Sequence, residues 1–224
     1  VIKPPIDFKM KYSNGDEIRF SVILFGDAMR FEKHLVSAVR EMCASGLGVK
    51  QHVSRLRLKR VFVENPFRER KELLMEGLEV YRTRLHIADS DLTLRIGKTF
   101  LLDFITPFRI VKQNSILPCP DFPDLFRFML RKYTNINKNY LNREPDVEIE
   151  RVLEESSKVT TLASEIQRVD FIYKQKREEF FSGWLMYHGR LSREARKVVH
   201  LAELSHIGKR TTYGHGWFKV ESYR

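Results

Sequence analysis

The chain has 224 residues, 42% of them hydrophobic, and carries 40 Lys and Arg against 29 Asp and Glu, a formal charge of +11. That supports one large domain or two small ones with real cores, and the charge favours a polyanionic partner, nucleic acid or an anionic membrane surface. Apolar runs such as Phe20 to Phe25 are far too short to span a bilayer, no signal peptide is visible, and Cys43 and Cys119 lack metal or redox spacing, so a reducing cytoplasm is the expected setting.

Asp16 to Gly26 reads as a strand, with Ile18, Phe20, Val22 and Leu24 alternating on one face. Phe31, Leu35, Ala38, Val39 and Met42 make a helical stripe that Gly46-Leu-Gly48 stops. Ser54 to Val63 follows as a second strand, with Leu56, Leu58, Val61 and Val63 apolar. Residues 64–90 are charged and weakly patterned, which suits a linker or insertion. Leu92 to Val111 reads as strand. Asp121-Phe-Pro-Asp then opens a helix with Pro123 in its first turn, and Phe122, Leu125, Phe126, Met129, Leu130 and Tyr133 form its apolar stripe. Residues 134–165 are polar and give no clear pattern. Ile166 to Tyr173 and Phe180 to Leu191 read as two strands joined by the charged Lys174–Glu179 segment. Ser192 begins another helix, with Ala195, Val198, Val199 and Ala202 inward. It stops at Gly208, and Gly216 to Val220 is the last strand.

From about residue 92 the order is β-α-β-β-α-β, the ferredoxin-like order. The earlier strand, Gly26, helix, Gly46 and strand echo only its second half. The expected architecture is therefore α+β and ferredoxin-like. Residues 1–65 would be the C-terminal half of one such domain, 66–91 a linker or insertion, and 92–224 a complete domain. The first strand, first helix and second strand of the earlier domain would lie before Val1. A single irregular α+β domain is the rival reading. Half a sheet leaves an unpaired edge, so a homodimer, a borrowed segment or a longer parent chain is expected.

The richest stretch is His206 to Trp217. Gly208, Gly214 and Gly216 let backbone approach a ligand closely, and successive backbone N–H groups in such a loop can form an anion nest. Lys209 and Arg210 add charge, Thr211 and Thr212 add hydroxyls, and Tyr213 and Trp217 add stacking faces. That mixture suits a phosphodiester chain with unstacked bases. The plain alternative is a glycine-rich helix cap followed by a turn. Residues 166–224 hold twelve Lys and Arg against six Asp and Glu, so the excess charge concentrates around the loop.

Several pieces, in order, resemble the CRISPR repeat-processing endoribonucleases of the RAMP superfamily. Pro4-Pro5, the Tyr12–Gly15–Asp16 segment, Leu24-Phe-Gly26 and Gly46-Leu-Gly48 resemble the family's first domain. Leu101 to Arg109, with Thr106-Pro-Phe-Arg109, resembles the start of its second. Gly183 to Gly189 and Ile207 to Gly216 resemble its end. The resemblance implies tandem ferredoxin-like domains, RNA as ligand, other CRISPR-associated proteins as partners, and a prokaryotic cytoplasm. In the family the histidine acting in cleavage usually lies on the first helix of the first domain, which is absent here, so no residue is carried over for that role. The position between the last two glycines, usually apolar, is His215.

RNA supplies its own nucleophile, the 2′-OH. Cleavage needs a base, an acid for the 5′-oxygen and cations for the phosphorane, and no metal or cofactor is required if His, Tyr or Lys do this work. No CxxC or HExxH arrangement occurs. His215, flanked by glycines on a loop expected to be open, and Tyr213 are the catalytic candidates; strand-start and stacking roles are their rivals. Lys209, Arg210, Thr211 and Thr212 are the phosphate candidates. Arg193, Arg196 and Lys197 would add a basic helix face, and ordinary helix solvation is the alternative. His34 and His188 read as structural or solvated, and Trp184 and Trp217 as core. The function these readings favour is cleavage of CRISPR repeat RNA. A non-catalytic RAMP scaffold holding guide RNA, and an unrelated basic α+β protein, are the rivals.

Overall fold

The computed structural model describes residues 1–7, 9, 11–49 and 52–223, without the side chains of residues 47–49, 52 and 53. In chain order the strands are β1 (Ile2–Lys3), β2 (Ser21–Val22), β3 (Leu47–Val49), β4 (His52–Ser54), β5 (Arg60–Asn65), β6 (Arg70–Glu76), β7 (Glu79–Val80), β8 (Thr99–Phe108), β9 (Ile110–Lys112), β10 (Ser115–Leu117), β11 (Thr160–Tyr173), β12 (Lys176–His188) and β13 (Phe218–Tyr223). The α-helices are α1 (Glu32–Ser45), α2 (Phe122–Tyr140), α3 (Ile149–Ser157) and α4 (Arg193–Ser205). They form two compact units, one of Val1–Ile23 with Leu92–Arg224, the other of Leu24–Asp91. Among the described residues no helix is long and apolar enough to cross a membrane.

In the larger unit β11, β12, β8 and β13 lie side by side in that order, and every pairing is antiparallel. With α2 and α3 between β8 and β11, and α4 between β12 and β13, this is the ferredoxin-like topology. Period-2 alternation builds the core. Phe100, Leu102, Phe104 and Phe108 on β8 are buried, while Asp103 and Ile105 between them are only half-buried. The stripe of α2 closes over them: Phe122 meets Phe100 edge-on at 5.3 Å and Tyr187 of β12 at 5.2 Å. Leu125, Phe126 and Met129 are fully buried, and α2 packs on α4 and α3. The Ser192 side chain accepts from Ala195 N at 3.2 Å and caps α4. β1 and β2 add a two-stranded ribbon to this unit.

The smaller unit holds α1 and an antiparallel meander of β5, β6 and β7. Val36 of α1, Leu74 and Met75 form its core, with Leu58, Val61 and Val63 packed on them. Residues 64–90, expected as a patternless insertion, are therefore largely ordered. Asn65 explains how a polar stretch holds together: its amide donates to His86 O at 2.9 Å and Asp91 Oδ2 at 2.8 Å, and its carbonyl accepts from Phe67 N at 3.1 Å. Elsewhere the strand expected over Asp16 to Gly26 shrinks to Ser21–Val22, because its only partner strand has two residues. The strand expected from Leu92 opens with a 3-10 turn at Asp91–Thr93 and begins at Thr99. Residues 134–165, which gave no pattern, hold the end of α2, all of α3 and the start of β11.

Because Leu125 sits at the α2–sheet contact with no exposed surface, Leu125→Ala is expected to lower the unfolding free energy by about 2–5 kcal/mol. Chemical denaturation measures this, and a change below about 1 kcal/mol would contradict the packing described.

Candidate functional site

The segment from His206 to Trp217 connects α4 to β13. It does not hang free; the end of β8 holds it by backbone. Lys209 N donates to Arg109 O at 2.9 Å and Gly216 N to Pro107 O at 3.0 Å. The buried Thr106 hydroxyl donates to Gly214 O at 2.8 Å and accepts from Trp217 N at 2.9 Å. Ile207 N donates to Gly216 O at 3.0 Å and closes the base of the loop. Glycine is needed where chain meets chain: a Cβ on Gly216 (φ +74°) would stand 1.9 Å from Ile207 O, and one on Gly208 (φ +90°) 2.6 Å from Arg109 O.

This docking uses part of the loop's backbone donors. The N–H groups of Ile207, Lys209, Tyr213, Gly214, Gly216 and Trp217 all donate within the protein.

Those side chains divide. Lys209 and Thr212 are exposed and Thr211 is half-buried. Arg210, at φ +62°, is turned onto β12: its Nε donates to Glu178 Oε2 at 3.1 Å, its Nη2 to Oε1, and its guanidinium lies 4.4 Å from the Tyr173 ring centroid. Arg109 approaches the same carboxylate at 3.6 Å. The hydrogen bonds from Arg210 hold the Glu178 carboxyl below its ordinary range. Tyr213 is 56% exposed, and its hydroxyl pairs with that of Tyr173.

His215 corrects an expectation. The flanking glycines do not leave it open. Its ring is half-buried, 4.4 Å from Phe180 and 5.0 Å from Phe171, centroid to centroid. Burial is the main cause lowering its pKa; Arg210 lowers it further, while a hydrogen bond to the Pro107 backbone and the nearby Glu178 oppose the shift. The neutral ring is favoured. Between the loop and the β11–β12 hairpin lies a cleft of about 200 Å³ lined by Phe171, Tyr173, Glu178, Phe180, Arg210, Tyr213 and His215.

The basic helix face is not an open face. Arg193 is exposed, but Lys197 is paired with Asp146 and Arg196 reaches the Leu191 carbonyl at 3.4 Å. Trp217 is buried as expected and Trp184 only half so. Sequence reasoning missed Thr106, Tyr173 and Glu178. Thr106 stood in the quoted Thr106-Pro-Phe-Arg109 motif, but only the fold shows its hydroxyl working in two directions. Among the described residues no group of three or more His, Cys, Asp or Glu is placed to hold a metal ion.

A ferredoxin-like sheet whose first strand clamps a C-terminal glycine-rich loop defines a RAMP-type protein. The profile of the CRISPR-associated endoribonuclease Cas6 matches residues 102–218, just over half of the chain, and the chain belongs to that family. A second profile, described as an N-terminal domain, matches residues 1–86. Among solved structures, a Cas6 (TTHA0078) product complex aligns at 16% identity over 88% of this chain and 76% of that one, with a TM-score of 0.58. A Cas6 (TTHB231) product complex aligns at 16% identity over 83% and 69%, with a TM-score of 0.57. These two share the fold. Thermus thermophilus Cas6 (TTHB231) aligns at 17% identity over 60% of this chain, with a TM-score of 0.49, and the chain spans 58% of its length. No curated protein matches.

His206 caps α4 at φ +64° and is fully buried against Trp217. Burial, then the charges of Lys3 and Lys132, push its pKa down to about 3 from an ordinary 6.5. Unfolded chain therefore takes up a proton between those values that folded protein refuses. Stability should be intact above pH 6.5 and fall towards pH 3 by about 1.4 kcal/mol per unit from this residue. His206→Asn, which removes the titrating ring, should flatten that acid limb in urea titrations; an unchanged limb would assign the acid sensitivity elsewhere.

Proposed function

We propose that the chain is the RNA-binding part of an endoribonuclease that cuts CRISPR repeat RNA by acid–base transesterification, without a catalytic metal, leaving a 2′,3′-cyclic phosphate (or 3′-phosphate) and a 5′-hydroxyl. The observation that carries this reading is the placement of His215 in an aromatic cleft shared with Arg210 and the exposed Tyr213 of the clamped glycine-rich loop. Family membership supports the substrate class, and the Cas6 structures that share the fold are product complexes. His215 takes the proton of the 2′-OH, Tyr213 lies within the same cleft as the second proton-transfer group, and Lys209, Arg210, Thr211 and Thr212 meet the RNA; of the α4 cations only the exposed Arg193 is free to flank it, Arg196 and Lys197 being turned to the protein. We also retain 1–65 as half of a ferredoxin-like domain joined through 66–91 to the complete domain at 92–224.

The half-burial of His215 favours one rival, a RAMP subunit that holds RNA without cutting it. Cleavage of the repeat RNA in EDTA separates the two. Cleavage is expected to survive chelation, and His215→Ala to slow single-turnover cleavage about 10²-fold or more with little change in RNA affinity. Rate loss on chelation with recovery in Mg²⁺ would remove the metal-free mechanism, and full activity of His215→Ala would move the catalytic group elsewhere.

Charge compensation gives a separate expectation. Arg210 is neutralised by Glu178, whereas among the described residues Lys209 is exposed without an ion pair. Lys209→Ala should reduce the slope of log K against log salt by about 0.7–1, and Arg210→Ala by clearly less. Equal reductions, measured by filter binding over a salt series, would mean that Glu178 does not hold Arg210 in the complex.

A further inference from the structure

The cleft beside the loop has a chemistry that phosphate binding does not use. Its walls are rings: Phe180 and His215 stack at 4.4 Å with 31° between their planes on one side, and Tyr173 and Tyr213 meet at 5.1 Å on the other. At its edge Glu178 fixes the Arg210 guanidinium from one direction while the Tyr173 ring lies 4.4 Å beneath it. A guanidinium held in that way is a planar platform, and flat guanidinium and aromatic faces are what unstacked RNA bases pack on. Two N–H groups of Arg210 face Glu178; a guanidinium has five, so donors remain for a base edge.

Size narrows the occupant. About 200 Å³ is below the roughly 300–1,000 Å³ of pockets that enclose whole small molecules. It suits one ring system whose sugar and phosphate stay outside. The Tyr213 ring, 56% exposed and tied to the hairpin through the Tyr173 hydroxyl, is the solvent-facing wall.

We propose that this cleft receives a single unstacked base of the bound RNA, packed on the Arg210–Tyr173 platform and covered by Tyr213. The inference rests on the RNA-binding reading above. It gives Arg210 a role different from Lys209: Lys209 meets the backbone, and Arg210 meets a base.

An abasic scan tests it. Repeat RNAs lacking one base at a time are titrated against the full chain, the Tyr173→Ala variant and the Glu178→Gln variant. One abasic position should weaken binding to the unaltered chain by about 5- to 150-fold, the range for losing one base–aromatic stack. At that position Tyr173→Ala should show less than about a 2-fold further loss, because the contact is already gone. Glu178→Gln, which keeps shape and frees the guanidinium, should reduce the penalty at the same position only. A penalty of equal size in all three proteins would overturn the base site while leaving RNA binding intact. So would Tyr173→Ala weakening every RNA equally, since that marks a role in folding the hairpin. Failure of all RNAs to bind the unaltered chain would overturn both this inference and the reading on which it rests.

Discussion

The fold and the site depend on one contact, the docking of the His206–Trp217 loop onto Thr106–Arg109 at the end of β8. β13 must return to pair with β8, with Phe218 opposite Phe104, so the connection from α4 has to cross the end of that same strand. The Thr106 hydroxyl, donor to Gly214 and acceptor from Trp217, fixes where it crosses. Gly208 and Gly216 permit the approach, because any Cβ there would enter a carbonyl oxygen. The glycines thus serve the protein's own backbone first. A loop that looks built to lay amides against phosphate has committed half of them within the protein, to the β8 end and to itself, and the docking holds its side chains in place.

Electrostatics follow the same division. The chain's excess of +11 gives no account of which cations are available. On the hairpin, Arg168 and Arg177 pair with Asp170. At the cleft, Arg109 and Arg210 share Glu178. On α4, Lys197 is held by Asp146. Each pairing turns a long-range attractor into a positioned group with local direction. A guanidinium whose charge is offset but whose plane is fixed contributes shape and hydrogen-bond direction more than salt-dependent affinity. Lys209, exposed on the same loop, retains the long-range role.

The legible part of the sequence was the part governed by period. The stripe of α2, the alternation along β8 and the Ser192 cap of α4 each state their structure locally, and together they give the ferredoxin-like order. The patternless stretches were those whose order comes from distant partners. Residues 64–90 fold because one buried amide, Asn65, gathers the His86 carbonyl and the Asp91 carboxylate from more than twenty positions away. The site divides similarly. Glycines and cations flagged the loop, but Tyr173 and Glu178 enter the cleft only because the Lys174–Gln175 turn, both residues at positive φ, folds β11 back on β12. Nothing in that turn carries the Asn-Gly or Asp-Gly signal such turns usually show.

His215 shows how the two levels combine. Its flanking glycines suggested a solvent-open ring, and an open ring close to two cations would be a poor base only by electrostatics. Instead Gly216 folds tightly against Ile207 and carries the ring under Phe171 and Phe180, so that desolvation is the main force keeping it neutral. That difference decides its chemistry. A neutral imidazole is free to accept a proton, desolvation makes it the weaker base, and the nearby Glu178 partly offsets that by favouring the imidazolium. On the proposed reading this assigns His215 the base's part at the 2′-OH, and leaves protonation of the leaving oxygen to a group that is still protonated at neutral pH. Tyr213, whose hydroxyl pairs with that of Tyr173, lies in the same cleft and is the proposed donor.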